Sequence, residues 1–276
     1  FTRCAKDENA MPANNVQIDT RGPGGTLVPL SATLYGLTQD NELVKITTSP
    51  FTVGTPVPIE VKGSRDVVYM LAIDFRPATK RLYSVGNDNL IYTIDPLTGS
   101  AQAVSGFPFS PVITGTMVGF DFNPADDRIR LVTDTDQNLR IHPGSGQVVG
   151  VDAAIRPTQL SVNSIAYSTG TTGLSGGGGT LFDIDATTSS LYKQNGNLGT
   201  LALIGTLGVN VLSEAGFDIG RKGDAWVTFF GGVTSSGGPG DVGTLPNDNY
   251  LFSVNLGTGK VRMTGRVPKL TGLAVQ

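Results

Sequence analysis

The chain has 276 residues, with 37 Gly, 16 Pro and only 16% charged side chains, a composition that suits many short strands joined by tight turns and leaves helices scarce. Its formal net charge of -3 comes from 20 Lys plus Arg against 23 Asp plus Glu spread evenly, so no basic stripe exists to neutralise phosphates and nucleic acid is not an expected partner. No apolar run approaches the roughly 18 residues needed to cross a bilayer, which argues against a membrane span.

Residues 1–30, "FTRCAKDENAMPANNVQIDTRGPGGTLVPL", begin polar, contain the alternating piece "NVQID" and end in a Pro/Gly hinge. Two readings stand: this arm lies on its own domain, or it adds a strand to a neighbouring subunit, because extended segments satisfy their backbone at exposed sheet edges. Cys4, Val16 and Ile18 are the candidate assembly residues. Cys4 is the one cysteine, so it forms no disulfide within the chain; it pairs with a second copy or stays a free thiol. A start at Phe1 rather than Met suggests a removed export signal and a secreted or cell-surface location, although a trimmed chain begins the same way. No N-x-S/T sequon occurs, which excludes N-glycosylation by that rule.

From residue 31 onward the chain repeats. "LAIDFRP" at 71–77 returns as "VGFDFNP" at 118–124, more faintly as "IAYSTG" at 165–170, then as "AGFDIG" at 215–220 and "LAVQ" at 273–276. Ala72, Gly119, Ala166, Gly216 and Ala274 hold one small position in all five copies. In the best-preserved repeat the stretches "RLYSVG", "NLIYTID" and "AQAVSGF" follow, the last two joined by the hairpin "DPLTG". Four strands per repeat of roughly 45–50 residues predict a β-propeller. At the start, "TLYGLTQD", "NELVKIT" and "TVGTPVPIEV" match strands two, three and four, and strand one is missing. The C-terminal "LTGLAVQ" supplies it, so 31–276 is predicted to be a single all-β, five-bladed propeller whose last strand closes the ring by pairing into the first blade. The small position lets innermost strands approach at a narrow axis. The next residue, Ile73, Phe120, Tyr167, Phe217 or Val275, faces the other way and packs between blades; Trp226 and Phe229 belong to the same packing. Two Gly/Ser-rich insertions, 168–179 and 231–246, lengthen loops on opposite faces.

Few residues carry chemistry. Asp74, Asp121 and Asp218 occupy one place in three blades, with Ser168 and Gln276 in the others. Recurrence in register predicts one shared local job, such as capping the following turn; the functional reading is a glycosidase with axial carboxylates. The turns between strands two and three carry Asp40 and Asn41; Asn87, Asp88 and Asn89; Asp134, Asp136 and Asn138; and Asn247, Asp248 and Asn249. They form a predicted ring of Asx groups on one face, explained by turn formation alone or by binding of calcium or sugar hydroxyls. "DTDQN" opens like a calcium loop but has Leu139 and Ser145 where the Gly and the closing acid belong. His142 is the sole histidine and reads as a turn residue, which leaves no His/Cys metal set and no triad.

With "YGLT", "GFDFNP", "DRIRLVTDTDQNLRIHPGSG" and "YTIDPLTG" in view, the chain resembles a bacterial family catalogued as domain of unknown function 4394, over roughly residues 31–276. The resemblance implies an exported, propeller-like domain and brings no catalytic residues. The leading expectation is a secreted, non-enzymatic structural or self-assembling unit, in a filament or at the cell surface, forming a homo-oligomer or fibre through residues 1–30 and needing no cofactor. The alternative is a lectin-like propeller that binds glycans through the Asx loops. Third is a glycoside hydrolase built on Asp74, Asp121 and Asp218.

Overall fold

A computed structural model describes residues 31–276 except 65, 158–159, 161, 169–178, 212, 231–233 and 236–247. Cys4, Val16, Ile18 and Asn247, and the two insertions apart from Ser168, Gly179, Thr234 and Ser235, lie outside the described residues. Strands β1 (Thr33–Thr38) and β2 (Glu42–Thr48) lead into three short ones, β3 (Phe51–Val53), β4 (Val57–Pro58) and β5 (Glu60–Val61). Three regular quartets follow. They are β6 (Met70–Phe75), β7 (Leu82–Gly86), β8 (Ile91–Ile94) and β9 (Ser100–Ala103); β10 (Val118–Asn123), β11 (Arg128–Thr133), β12 (Asn138–Ile141) and β13 (Val148–Val151); and β14 (Val162–Tyr167), β15 (Leu181–Asp185), β16 (Ser190–Gln194) and β17 (Leu201–Thr206). After β18 (Val209–Asn210) come β19 (Ser213–Ile219), β20 (Ala225–Phe230), β21 (Thr234–Ser235), β22 (Asn249–Val254), β23 (Val261–Val267) and β24 (Leu270–Val275).

These strands build five antiparallel blades, and β24 is the innermost strand of the first, in the order β24-β1-β2-β3. Its ladder with β1 pairs Leu34 with Val275, Tyr35 with Ala274, Gly36 with Leu273 and Leu37 with Gly272. The two ends of the propeller are thereby one sheet, as the truncated first and last repeats predict. The inner strands neighbour one another in the cycle β24, β6, β10, β14, β19. Because side chains alternate along a strand, each blade sends one set forward and one back. The buried apolar residues accordingly sort into five clusters, one per seam: Tyr35 and Leu37 pack with Ile73 and Phe75, while Leu34 and Val44 pack with Trp226 and Leu251. Ile73, Phe120, Tyr167, Phe217, Trp226 and Phe229 are all buried, and Val275 is half-buried.

One predicted strand divides. "TVGTPVPIEV" does not run as the fourth strand of blade one; β3 and β4 pair separately with β2, and β5 crosses to run parallel with β9 at the outer edge of blade two. Pro56 and Pro58 supply no N–H to a ladder, so the strand breaks and its remainder is free to join the neighbour.

At the axis, a Cβ on Gly216 would lie 2.5 Å from the backbone N of Leu273 and 2.7 Å from the carbonyl carbon of Gly272. The contact is backbone against backbone, so nothing yields. Between the inner strands only about 20 Å³ remains, lined among others by Ala72, Gly119 and Gly216, which is room for a single water. Two outcomes follow for stability. Gly216→Ala is expected to cost about 1–3 kcal/mol by overpacking, read as a lowered denaturant midpoint at unchanged m-value. Removing residues 271–276 strips β1 of its inner partner and should abolish the cooperative transition in calorimetry, not shift it.

Candidate functional site: an axial pocket floored by carboxyls

The inner strands β6, β10 and β19 each carry an Asp one or two residues before their C-terminal end, so Asp74, Asp121 and Asp218 converge at one end of the axis. Their carboxyl oxygens lie within 4.8 Å of one another, and the residues are only 5%, 3% and 5% exposed. Each reaches the inner strand of the following blade. Asp74 Oδ2 accepts the Phe122 N–H at 2.9 Å, Asp121 accepts that of Tyr167, and Asp218 Oδ2 accepts that of Val275 at 2.5 Å. Asp218 Oδ1 also takes the N–H of its own neighbour Ile219, at 2.5 Å. The recurrent job is therefore chiefly to join blade to blade, more than to cap the turn that follows. In the other two blades Ser168 is buried and its Oγ accepts the Thr180 N–H at 3.1 Å, while Gln276 is exposed and its N–H bonds the Thr33 carbonyl at 2.9 Å.

Three carboxyls this close do not all ionise freely, because two like charges about 4 Å apart repel by about 4 kcal/mol even at an effective dielectric near 20. Burial pushes Asp74 and Asp121 well above the usual carboxylate range, and the charge of Asp218 pushes both further. Asp218 is pushed up to about 7 by burial, against the pull of the Val275 and Ile219 N–H groups. Asp121 hydrogen-bonds Asp218 in a way that raises Asp121 and lowers Asp218. A hard cation taking one oxygen from each carboxyl is the other way to satisfy the trio.

Above this floor opens a cavity of about 410 Å³. Phe75, Phe122, Tyr167 and Ile219 contribute its walls, and Arg76, Lys80 and Arg221 stand around it. Arg76 is committed: its guanidinium pairs with Asp127 of the next blade, with Nε to Oδ1 at 2.9 Å, and reaches Tyr83 Oη at 3.2 Å. Among the described residues, the narrow channel between the inner strands closes the far end of the pocket, which opens on the carboxyl face.

The Asx turns lie on the opposite face, as the alternation of turns predicts, and their polar atoms are largely engaged by the segments that link blades. Asn41 Oδ1 accepts the Met70 N–H at 2.8 Å, Asn87 Oδ1 that of Tyr69 at 3.2 Å, and Asn89 Oδ1 that of Ile113 at 2.7 Å. Asp88 accepts from the Leu90 N–H and Tyr92 Oη. The Asp134 carboxylate takes the N–H and hydroxyl of Thr116 and the N–H of Met117, the donor pattern of a turn and not of a calcium shell. Asn138 is buried, donating to the Ala153 and Gly196 carbonyls. Asp40 is exposed in its turn, Asp136 adopts φ 66° and Asp248 pairs with Arg266. Asn249 is buried at the start of β22. His142 is a turn residue as read, its Nδ1 accepting the N–H groups of Gly144 and Ser145 at 3.1 Å.

Sequence reasoning passed over a buried polar network between blades three and four. Arg130, 3% exposed, bonds Asn138, Asp152, the Gly196 carbonyl and, through Nε, the Oη of Tyr167, whose ring lines the pocket. Asp183, fully buried behind it, is held well above the usual carboxylate range by desolvation. The available signal was a charge inside a strand buried on both sides, "RIRLV" and "LFDID", where a charged side chain survives only if paired or neutralised.

Five seams, a sealed axis and a blind pocket over three buried carboxyls define a five-bladed β-propeller with a single-ended axial site. The chain belongs to the family described as Domain of unknown function (DUF4394), whose profile matches residues 47–274. No curated protein matches the sequence. Among solved structures, a nidogen/laminin complex is similar at 12% identity and TM-score 0.47, over 90% of this chain and 85% of that one. A structural-genomics protein of unknown function from Bacteroides thetaiotaomicron is similar at 12% identity and TM-score 0.48, over 90% of this chain and 65% of that one, so the match spans just under two thirds of its length.

The sign of the pH dependence follows from the raised carboxyls. The folded state keeps protons that an unfolded Asp, with a pKa near 3.9, has already shed. Their contribution to stability is complete below about pH 4 and is lost as pH rises through about 7 and beyond. The melting temperature should therefore fall from pH 5 to pH 8, and Asp121→Asn, which removes one charge from the trio, should flatten that slope. An equal slope in wild type and variant would show that the trio does not set it.

Proposed function

We propose that the protein is a non-enzymatic binding propeller that takes a small polyhydroxylated ligand, of the sugar class, in the axial pocket. The observation that carries this reading is the blind cavity of about 410 Å³, within the range of small-molecule sites, which combines apolar walls with a floor of carboxyl groups. Pro77 and Val275, which line the cavity and are only half-buried, offer apolar surface to the C–H face of a ring, and the carboxyls offer acceptors and shared protons to its hydroxyls. The sugar reading thereby moves from the Asx turns, whose oxygens are largely occupied, to the opposite face. Hydrolysis fits less well: oxygens within 4.8 Å of one another place the carboxyls closer than the about 5–9.5 Å that flanks a glycosidic bond. Titration calorimetry with neutral sugars, uronates and amino sugars tests it. Binding by one of these classes is expected, weakened at least tenfold by Asp218→Asn; silence across the panel would sink the proposal.

A further inference from the structure

The three carboxyls at the floor of the pocket are acceptors without an answering charge. When ionised, Asp74, Asp121 and Asp218 together hold about twelve acceptor sites. The bonds that reach them come from the N–H groups of Phe75 and Phe122 on Asp74, of Tyr167 on Asp121, and of Ile219 and Val275 on Asp218, with one more between Asp121 and Asp218. Every donor is therefore neutral backbone or a carboxyl. Among the described residues no ion pair includes any of the three. About half of the acceptor sites stay unmet, on side chains only 3–5% exposed that line the cavity. Buried acceptors are seldom left so.

The groups around the trio narrow what can meet it. At the end of β6, Arg76 is taken by Asp127 of the next blade. On β14, Tyr167 is held in its protonated form by burial, and its Oη bonds Arg130. Past β19, Asp224 adds a negative charge that bears on Asp218, while its own Oδ2 accepts from Trp226 Nε1 at 3.1 Å. From β24 and the residue after it come the uncharged side chains of Val275 and Gln276. Lys80 and Arg221 are cations, but they are exposed at the mouth, where water and salt screen them, whereas charges on the buried floor are screened far less. An anionic sugar would bring its charge down to a floor already crowded with acid. A neutral hydroxyl would leave the floor's charge uncompensated. A cationic donor relieves both the charge and the unmet acceptors.

Size separates the cations. One oxygen from each carboxyl lies within 4.8 Å of the other two. A primary ammonium whose N–H bonds run about 2.8 Å to charged acceptors sets three such acceptors about 4.6 Å apart, by tetrahedral geometry. Three donors are all that it has to place. A calcium ion takes about six to eight oxygens, and beyond the trio the lining side chains offer Tyr167 Oη, which is on Arg130, and the amide of Gln276. Resting on the pocket reading above, we infer that the ligand presents a primary ammonium to Asp74, Asp121 and Asp218, which makes it an amino sugar within the sugar class. Seating the ammonium requires the floor to ionise, so a proton held there passes to solvent as the ligand binds. With Asp218 pushed up to about 7 and the other two carboxyls held high, that proton is present in slightly acid solution.

The experiment is titration calorimetry of the natural chain with glucosamine, N-acetylglucosamine, glucose, glucuronate, propylamine and calcium chloride, at pH 6, where both amines are protonated. Glucosamine is expected to bind roughly tenfold or more tightly than N-acetylglucosamine or glucose, since acetylation removes the charge and two of the donors. About one proton should leave per glucosamine bound, read from the change in heat between buffers of different ionisation enthalpy, and the affinity should rise from pH 5 to pH 7. If N-acetylglucosamine, glucose or glucuronate binds as tightly as glucosamine, the ammonium seat is wrong and the sugar pocket stands. Binding of propylamine with silence from every sugar gives the reverse, keeping the seat and sinking the sugar reading. Silence from all six overturns both. Calcium binding that excludes glucosamine assigns the trio to a metal and likewise overturns the inference.

Discussion

Everything in this molecule depends on the ladder between β1 and β24. Those strands are the first and last of the propeller, and until they pair the inner strands have no reason to form a closed cycle. Closure fixes the radius of the axis, and the radius in turn forces Ala or Gly at the level where backbones meet, with Gly216 against Leu273 as the tightest case. It also brings the ends of β6, β10 and β19 together, so a site with no two members adjacent in sequence exists only because residues 270–275 find residues 33–38. The same closure ends a sheet edge that would otherwise be open to other chains.

The carboxyl trio works against that closure even as it serves it. Each Asp gives its neighbour blade an acceptor for a backbone N–H that the ladder leaves over, yet bringing three such groups together in a buried place raises the energy of their ionised forms. The ring does not need an acid at every one of these places, since blades one and four close with Gln276 and Ser168 there. Keeping three acids at one point is the kind of local cost that marks a place kept for chemistry or binding. The Arg130 network behind Tyr167 stiffens one wall of the same cavity, because a buried guanidinium bonded to a carboxylate, an amide, a carbonyl and a phenol has little freedom to shift.

The architecture was legible because it is periodic. "FDFNP" and its echoes place the inner strands, the small residue marks the axis, and the half-repeats at the two ends imply closure before any coordinate is known. What periodicity cannot convey is distance across the ring: Asp74, Asp121 and Asp218 share a register position, but whether they touch depends on the radius and on side-chain direction. The Asx turns show the complementary limit. Their face was legible, while the occupants of their oxygens were not, since Ile113 or Met70 donates from a connecting segment that carries no repeat signal. "TVGTPVPIEV" was misread as one strand because its apolar pattern continues straight through two prolines that the ladder does not tolerate.

The stitching at the axis is unequal. Asp74, Asp121 and Asp218 fasten blade two to three, three to four and five to one, whereas blades one and four carry Gln276 and Ser168 at that level, which among the described residues bond within their own sheets. At the level of the carboxyls the ring thus falls into two bodies, one of three blades and one of two, meeting along seams where the inner ends are held by apolar packing, while at the rim β5 still ties blade one to blade two. Apolar contacts slide where hydrogen bonds snap, so any breathing of the ring should run along the line between those bodies. That line passes through the mouth of the pocket, which would widen and narrow like a hinged clasp while the floor of carboxyls stays in register.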